Sequence, residues 1–474
     1  MTPSEAAPQP GWARPVAWLL AAAVFGWLTA GALGRAQHML WPFGIDSAYF
    51  LQRAWLGWEE PLGRRTLLTN EIGRGAFGGR HHSPLIGLFV PAAAMFRSYA
   101  SLLVAQAAIV ALGVLPLFAL CWRSSRDRVL ALVLLLAALS APGFLEIPVL
   151  DFRLITPALV LVPVAIGAAV FGGWPLVFAA TVAACGAREG CAPLLLSCVP
   201  WLMWERSRRL PEERRSWLLV LLAVGLPAAA WWVGTEWRAG LFPGHRGILV
   251  DQDLSVGVPA WAFELFASDL RGERGDPPIL IARILRVAGA AALLIALRPL
   301  ALLPFALYWA AASLHSGMIN PHQVHYYAPL VGVAVALVPL ALTGPRPWPR
   351  GARIGGGLVV LGVNLLVPWY AAGPVDTVEA ARRVLQEPIP EAGLAVEHVG
   401  PGDRVVASDW LVPTIEARAT VWSTADRGGI FVTSYDDIDV VLLSVGDGFE
   451  PEVRAAGFVE VARTDGAIVL RRPD

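Results

Sequence analysis

Lysine is absent from all 474 residues, so the 37 basic side chains are all arginine. With the abundance of Ala, Gly and Pro, that absence points to a GC-rich bacterial genome. Charge of either sign is sparse: charged residues make up 16% of the chain, against roughly a quarter in a soluble globular protein. A soluble globular protein of this length is therefore excluded. The few charges balance to a formal net charge of +0, which argues against a nucleic-acid partner. Cysteine is scarce too. Cys121, Cys185, Cys191 and Cys198 lie in or beside apolar runs without metal-ligand spacing, and read as small buried hydrophobes. No convincing small-residue cleavage site follows the first apolar run, Val16 to Leu33, so that run reads as a retained membrane helix. No internal repeat of the kind found in inverted-repeat transporters is visible.

What is present is hydrocarbon: 56% of the residues are hydrophobic and the mean hydropathy is +0.57. A spanning helix needs roughly 20 apolar residues, and on that criterion about eleven spans are expected. They fall near 16–33, 100–121, 129–145, 154–171, 173–190, 191–204, 217–235, 278–297, 299–315, 326–343 and 354–371. Ser83 to Phe96 is apolar but short and carries Pro84 and Pro91, so it reads as a helix lying along the interface. With that segment on the outer surface, the arginine-rich loops "WRSSRDR" (122–128), "ERSRRLPEERR" (205–215), Arg298 and "RPWPRGAR" (346–353) share one side with the N-terminus. The positive-inside rule makes that side cytoplasmic. The expectation is an α-helical polytopic protein of a bacterial cytoplasmic membrane, N-terminus in and C-terminus out, with the lipid bilayer as its solvent.

The last hundred residues change character. "GDRVVASDWL", "ATVWS", "IDVVLLSV" and "FVEVARTDGAIVLRR" are short β-type runs, and "VDTVEAARRVLQ" and "EPEVRAAGF" are helical between them. The division is thus a transmembrane domain over 1–371, with a first outer loop at 34–99, and a small extracytoplasmic α/β domain over 372–474.

Ionisable groups at membrane depth are costly and usually face a cavity or a partner. On the expected orientation they converge on the outer face. Asp46, in "WPFGIDSAYFLQRAW", follows the first span and suits either a helix N-cap or a general base. His81 and His82 open the interfacial helix. Glu146, Asp151 and Arg153 share one short turn, "LEIPVLDFRLITP". Arg188 and Glu189 interrupt a continuous apolar stretch, where an ion pair without a function would be expensive. His322, His325, Tyr326 and Tyr327, in "NPHQVHYYAPL", head a late span. A zinc or manganese site built from the four histidines lacks HExxH or comparable spacing, so the sequence requires no metal, although a divalent ion stays open.

These motifs resemble a known group. "IDSAYFLQRAW" looks like the Asp-x5-Gln-x2-Trp pattern, with Asp46 and Gln52, of the bacterial membrane family called domain of unknown function 2079. "HHSPLIGLFVPAAAMFRSYASLLVAQAAIVALGVLPLFAL" is similar to that family's His-x-x-Pro helix and the Gln-containing span after it. "LDFRLITPAL", "REG" and "HYYAPL" sit where the family has further polar motifs, over about residues 35–335. "REG" departs from the Lys- or Glu-Asp-type versions of its motif, and no Asp-x-Asp follows the first span. The family in turn resembles GT-C glycosyltransferases. That resemblance implies a polyprenyl-phosphate-linked sugar as donor, an envelope glycan, lipid or protein as acceptor, and Asp46 as catalytic base.

Transfer from a lipid phosphate needs a base at the acceptor hydroxyl and cationic or hydrogen-bonding partners for the departing phosphate. Arg153, Arg188, His322 and His325 are candidates for the phosphate, and Tyr326 and Tyr327 for donation or sugar stacking. Gln52, His81, His82, Glu146, Asp151 and Glu189 complete the candidate substrate site. Two other readings use the same residues: a transporter-like permeation vestibule, and a non-catalytic envelope-assembly scaffold docking through its soluble domain.

Overall fold

The computed structural model describes residues 13–38, 50, 54, 84–150, 152–188, 190–211, 216–240, 288–307, 327–344, 348–366, 377–408, 410–411, 414–415, 420–423 and 435–473. Most of these are helical. The first helix, α1 (Ala13–Gln37), is long and apolar enough to cross a membrane. A 3₁₀ turn (Pro84–Leu88) and a short helix, α2 (Val90–Phe96), follow, neither of spanning length. Helices α3 (Tyr99–Leu112) and α4 (Val114–Ser125) join through Gly113 into one apolar rod of 27 residues. Gly113 is required there, because a Cβ would run into the Val160 side chain. Helices α5 (Arg128–Leu139) and α6 (Pro142–Leu150) form a second rod, bent by 47° where Pro142 interrupts the helical ladder.

Helices α7 (Ala158–Phe171), α8 (Trp174–Ala187) and α9 (Cys191–Arg209) then run back and forth. The apolar stretch around "REG" is thus two helices, separated at Arg188. Helix α10 runs from Ser216–Val220 through a π-helical turn at Leu221–Gly225 into Leu226–Gly240. Two 3₁₀ segments (Gly289–Leu297 and Pro299–Ala301), α11 (Ala328–Leu342) and α12 (Arg350–Leu366) complete the bundle. Every residue of α11 is buried, so this helix is the bundle's axis, packed between α5 and α7. All four cysteines are buried and free.

One end of the bundle is closed by arginine. Glu205, with its side chain fully buried, pairs with Arg209 one turn later at 2.9 Å and with Arg298 from the 3₁₀ segment. Arg209 and Arg298 both donate to the Leu340 carbonyl near the end of α11, at 2.8 and 3.0 Å. Arg206 donates to the carbonyls of Ala169 and Gly172 at the end of α7, at 2.9 and 3.0 Å. The last carbonyls of a helix have no partner within it and carry its negative pole, so guanidinium groups complete both helix ends. The charged run from Glu205 to Arg209 is therefore the last turns of α9. Glu205 and Arg206 are buried in the bundle and Arg209 is half-buried, while Ser207 and Arg208 face out, where the sequence pattern expects a loop throughout.

After the bundle come α13 (Thr377–Arg383), α14 (Glu391–His398), α15 (Glu450–Ala455) and five strands. The strands β1 (Arg404–Ala407), β2 (Thr420–Ser423), β3 (Val440–Ser444), β4 (Val459–Arg463) and β5 (Ala467–Arg471) lie in the order β2-β1-β3-β5-β4. β1 is parallel to β2 and β3, while β5 pairs antiparallel with both β3 and β4. The first three β-type runs of the sequence become one strand each, and "FVEVARTDGAIVLRR" becomes two, β4 and β5. One sheet face (Val405, Ala407, Val440, Leu442, Val469) shares a hydrophobic cluster with Ala32, Phe89, Tyr99 and Phe152 of the bundle.

Candidate functional site

The end of the bundle opposite Glu205 is organised around Phe152, which is fully buried. Its ring meets the edge of Phe89 at 4.7 Å and 87°, and that of Phe50 at 5.6 Å and 70°. Edge-to-face pairs of this kind are worth about 0.5–1.5 kcal/mol beyond the area they bury. Phe50 comes four residues after Asp46, Phe89 seven after His82, and Phe152 lies between Asp151 and Arg153. Three of the polar clusters read from the sequence thus have flanking aromatics in one junction.

The turn that carries Arg153 is held from beneath by α3. Tyr99 and Gln106 are seven residues apart, two helical turns, and so share a face. The Phe152 N–H donates to Tyr99 Oη at 2.8 Å. The Arg153 N–H donates to Gln106 Oε1 at 2.9 Å, and Gln106 Nε2 donates to the Pro148 carbonyl at 3.0 Å. Where α6 ends, backbone groups lose their helical partners, and leaving one buried without a substitute costs about 1–3 kcal/mol. Two side chains in an otherwise apolar span supply the substitutes. Glu146 and Arg153 are themselves buried, at 4% and 6% exposure.

Arg188 caps the end of α8 in an extended conformation and is half-buried. Just before it, a Cβ on Gly186 would lie 3.5 Å from Pro84 Cγ and 3.8 Å from Trp231, so this helix end packs against the segment that follows His82. Tyr327 caps α11 and is 1% exposed, within the bundle core. Arg188 and Tyr327 are thus placed on helix ends. Glu146 lies within α6, so it does not share the short turn expected from the sequence. Phe152 links the turn of Arg153 to Phe50 and Phe89. Asp46, Gln52, His81, His82, Asp151, Glu189, His322, His325 and Tyr326 lie outside the described residues, as does any metal arrangement of the four histidines.

The sequence reading missed three residues. Tyr99, just before the span expected at 100–121, and Gln106, the glutamine of that span, carry no assigned role in the sequence reading, although two polar groups at a seven-residue interval in an apolar run are a signal of a shared face. Arg35, in the last turn of α1, is 1% exposed and fell outside the span boundary drawn at Leu33.

The fold is similar to that of ArnT from Cupriavidus metallidurans bound to undecaprenyl phosphate. The TM-score is 0.52 at 13% sequence identity, covering 97% of this chain and 98% of that one. The same protein in the apo state gives 0.48 at 13% identity, covering 97% of each chain. No family model matches the chain, and no curated protein does. The family suggested by the motifs is not confirmed by these comparisons. At this identity the likeness shows the fold alone: a mostly helical, ArnT-like arrangement.

Proposed function

We propose that this chain is a membrane glycosyltransferase that moves a sugar from a polyprenyl-phosphate carrier to a cell-envelope acceptor on the outer face of the cytoplasmic membrane. The observation that carries this reading is the ArnT-like fold, which spans nearly the whole of both chains; that ArnT structure holds undecaprenyl phosphate. The sidedness comes from the arginine loops: the ends of α4, α7 and α9 and the start of α12 belong to the arginine-rich end, which the positive-inside rule assigns to the cytoplasm. The Phe152 end and the sheet are then outside, and about eleven spans would separate the two faces.

In the reaction, the Asp46 carboxylate takes the proton of the acceptor hydroxyl as its oxygen bonds to the anomeric carbon. The bond from that carbon to the phosphate oxygen breaks, and the carrier phosphate leaves with the electron pair. Charge grows on that phosphate, and Arg153, Arg188, His322 and His325 are assigned to it, because preorganised donors are worth most where charge develops. Tyr326 is assigned to the sugar. The enclosure of Tyr327 supports a hydrogen-bonding role for it more than a stacking one. Gln52, His81, His82, Glu146, Asp151 and Glu189 are assigned to the surrounding substrate contacts.

The test is mass spectrometry of lipid extracts after incubating the purified protein, in nanodiscs, with a panel of polyprenyl-phosphate sugars. Consumption of one carrier is the expected result. Failure to bind or consume any of them would overturn the reading and leave a scaffold on the same fold.

A further inference from the structure

The strands β2, β1 and β3 are parallel and lie side by side in that order, so the chain leaves β1 toward β2 and leaves β3 in the opposite direction, toward β4 and β5. Connections that part in this way open a crevice outside the carboxyl ends of the strands, and open α/β sheets bind their ligands there. The residues at the two ends are Ser408 and Trp410 for β1, and Ser444 and Asp447 for β3. Hydrogen bonds lace them together. The Ser408 N–H donates to the Leu442 carbonyl at 2.8 Å, and the Ser444 N–H to Ser408 Oγ at 3.1 Å. Ser408 Oγ donates to Asp447 Oδ2 at 2.9 Å, and Trp410 Nε1 donates to Ser444 Oγ at 2.6 Å. The turn that brings Asp447 back is closed by its N–H on the Ser444 carbonyl at 3.0 Å, with Gly446 at φ +80°, a conformation that favours glycine.

The lacing leaves hydrogen-bonding capacity over. Ser444 Oγ accepts from the indole, and among the described residues nothing accepts its own hydrogen. Asp447 Oδ2 holds Ser408 and Oδ1 holds the Phe449 N–H at 3.1 Å, so each oxygen has room for a second donor. Trp410, Ser444 and Asp447 are all half-buried, within reach of a ligand. The crevice thus offers one hydroxyl donor, two carboxylate acceptor positions and an indole whose orientation is fixed by its own N–H. A carboxylate accepts from two adjacent hydroxyls, and an indole gives a flat apolar surface for the C–H face of a pyranose. An anionic ligand does not suit this end. Arg454 and Arg463 are paired with Glu450 and Glu460 beside the far edge strand, and Arg404 and Arg471 lie where β1 and β3 begin.

We propose that this crevice is a subsite for a neutral sugar, in which Trp410 stacks on the ring and Asp447 and Ser444 bind adjacent hydroxyls. That the sugar belongs to the acceptor glycan rests on the glycosyltransferase reading. Trp410 packs against the hydrophobic cluster that joins the sheet to Phe89 and Phe152. On that reading the sheet holds the acceptor beside the Phe152 end and raises its effective concentration at the membrane site.

The test is isothermal titration of the full chain in nanodiscs with neutral trisaccharides of glucose, galactose, mannose or N-acetylglucosamine. At least one should bind, equally well with and without saturating sugar-free polyprenyl phosphate. Trp410→Ala removes the stacking surface, and Asp447→Asn keeps the shape but loses the charge and an acceptor. Each should weaken binding about ten- to a hundredfold, the worth of hydrogen bonds to a charged group. Asp447→Asn is isosteric, so its result decides the matter if Trp410→Ala fails to fold. Arg404→Gln breaks the ion pairs to Asp437 and Asp439 at the opposite end of the sheet and should leave the affinity unchanged. No binding by any trisaccharide would overturn the subsite, as would binding indifferent to Asp447→Asn or abolished by polyprenyl phosphate. If a trisaccharide binds and responds to these variants while the parent protein consumes no carrier, the subsite stands and the glycosyltransferase reading falls. Carrier consumption without trisaccharide binding removes the subsite alone.

Discussion

At one end of the bundle, Arg206, Arg209 and Arg298 are spent on Glu205 and on the last carbonyls of α7 and α11. At the other, the backbone at the end of α6 is held by two neutral side chains, Tyr99 and Gln106. Both ends solve the same problem, since helix termini inside an apolar bundle need partners. The first solution uses charge as a structural part. In the second, neutral side chains hold the backbone beside two buried charged residues, Glu146 and Arg153. The comparison teaches that burial of charge does not by itself mark a site; what matters is whether the charge is what holds the helices together. It predicts that substitutions at the Glu205 end act on stability, and those at the Phe152 end act on turnover.

The largest expected effect is at Asp46. Asp46→Asn keeps the size and any capping bond but loses the proton acceptor, and general-base help contributes about 10²–10⁴-fold. Carrier turnover should fall by that factor while the thermal unfolding midpoint stays within error. Retained turnover would move the base to Glu146, Asp151 or Glu189, and a large loss of stability would place Asp46 with the structural charges.

Next is Glu205→Ala, which strands Arg209 and Arg298 inside the bundle. Removing one partner of a buried ion pair costs about 3–5 kcal/mol, so the unfolding midpoint should drop sharply. Turnover per folded molecule should be close to that of the parent protein. Loss of turnover with an unshifted midpoint would break the comparison, because it would make this end a site.

The apolar helices were legible in the sequence because runs of roughly 20 apolar residues have few other fates. Among the described residues, however, three are long enough to cross a membrane, or four with the bent pair as one. The strands were legible because β-branched pairs alternate with turn residues. The Glu205 end was not. Its charges look like a solvated loop until α11, more than a hundred residues later, brings the Leu340 carbonyl beside them. Sequence spacing carries no sign of such a pairing. At the Phe152 end the polar motifs stand out in the sequence, while what joins their neighbouring aromatics does not. Phe50, Phe89 and Phe152 are ordinary apolar residues in sequence, and only the packing of three separate segments makes them one junction.

A smaller effect is expected at Gln106. Gln106→Leu leaves the Arg153 N–H and the Pro148 carbonyl without a partner, at about 1–3 kcal/mol. If the clamp orients Arg153 toward the carrier phosphate, affinity for the sugar-free carrier should weaken about tenfold beyond what the stability loss explains. Gln106→Glu keeps the acceptor for Arg153 and should retain most of that binding. Equal carrier binding in both variants would reduce the clamp to a structural device and make the two ends alike.

The smallest effect tests burial itself, at the exposed rim of the arginine end. Asp127 accepts from the Leu130 N–H at 3.0 Å as the N-cap of α5, and from Arg350 at the start of α12. The hydrogen bond from Arg350 holds the Asp127 carboxyl below the usual carboxylate range; partial burial opposes it, and the Leu130 N–H adds to it. A depressed folded pKa contributes stability that is present above the unfolded value, about 3.9, and is lost as pH falls through the folded value. The unfolding midpoint should therefore be insensitive to this group between about pH 5 and 7 and should fall below about pH 4. Asp127→Asn keeps the cap and removes the charge, so it should erase that part of the acid dependence at a cost of about 0–1 kcal/mol near neutrality. Asp127→Ala also removes the cap and should cost about 0.5–2 kcal/mol. A loss from Asp127→Asn as large as that from Glu205→Ala would mean that the ion pairs of this end hold equally well in water and in the bundle, and burial would no longer explain why Glu205 matters.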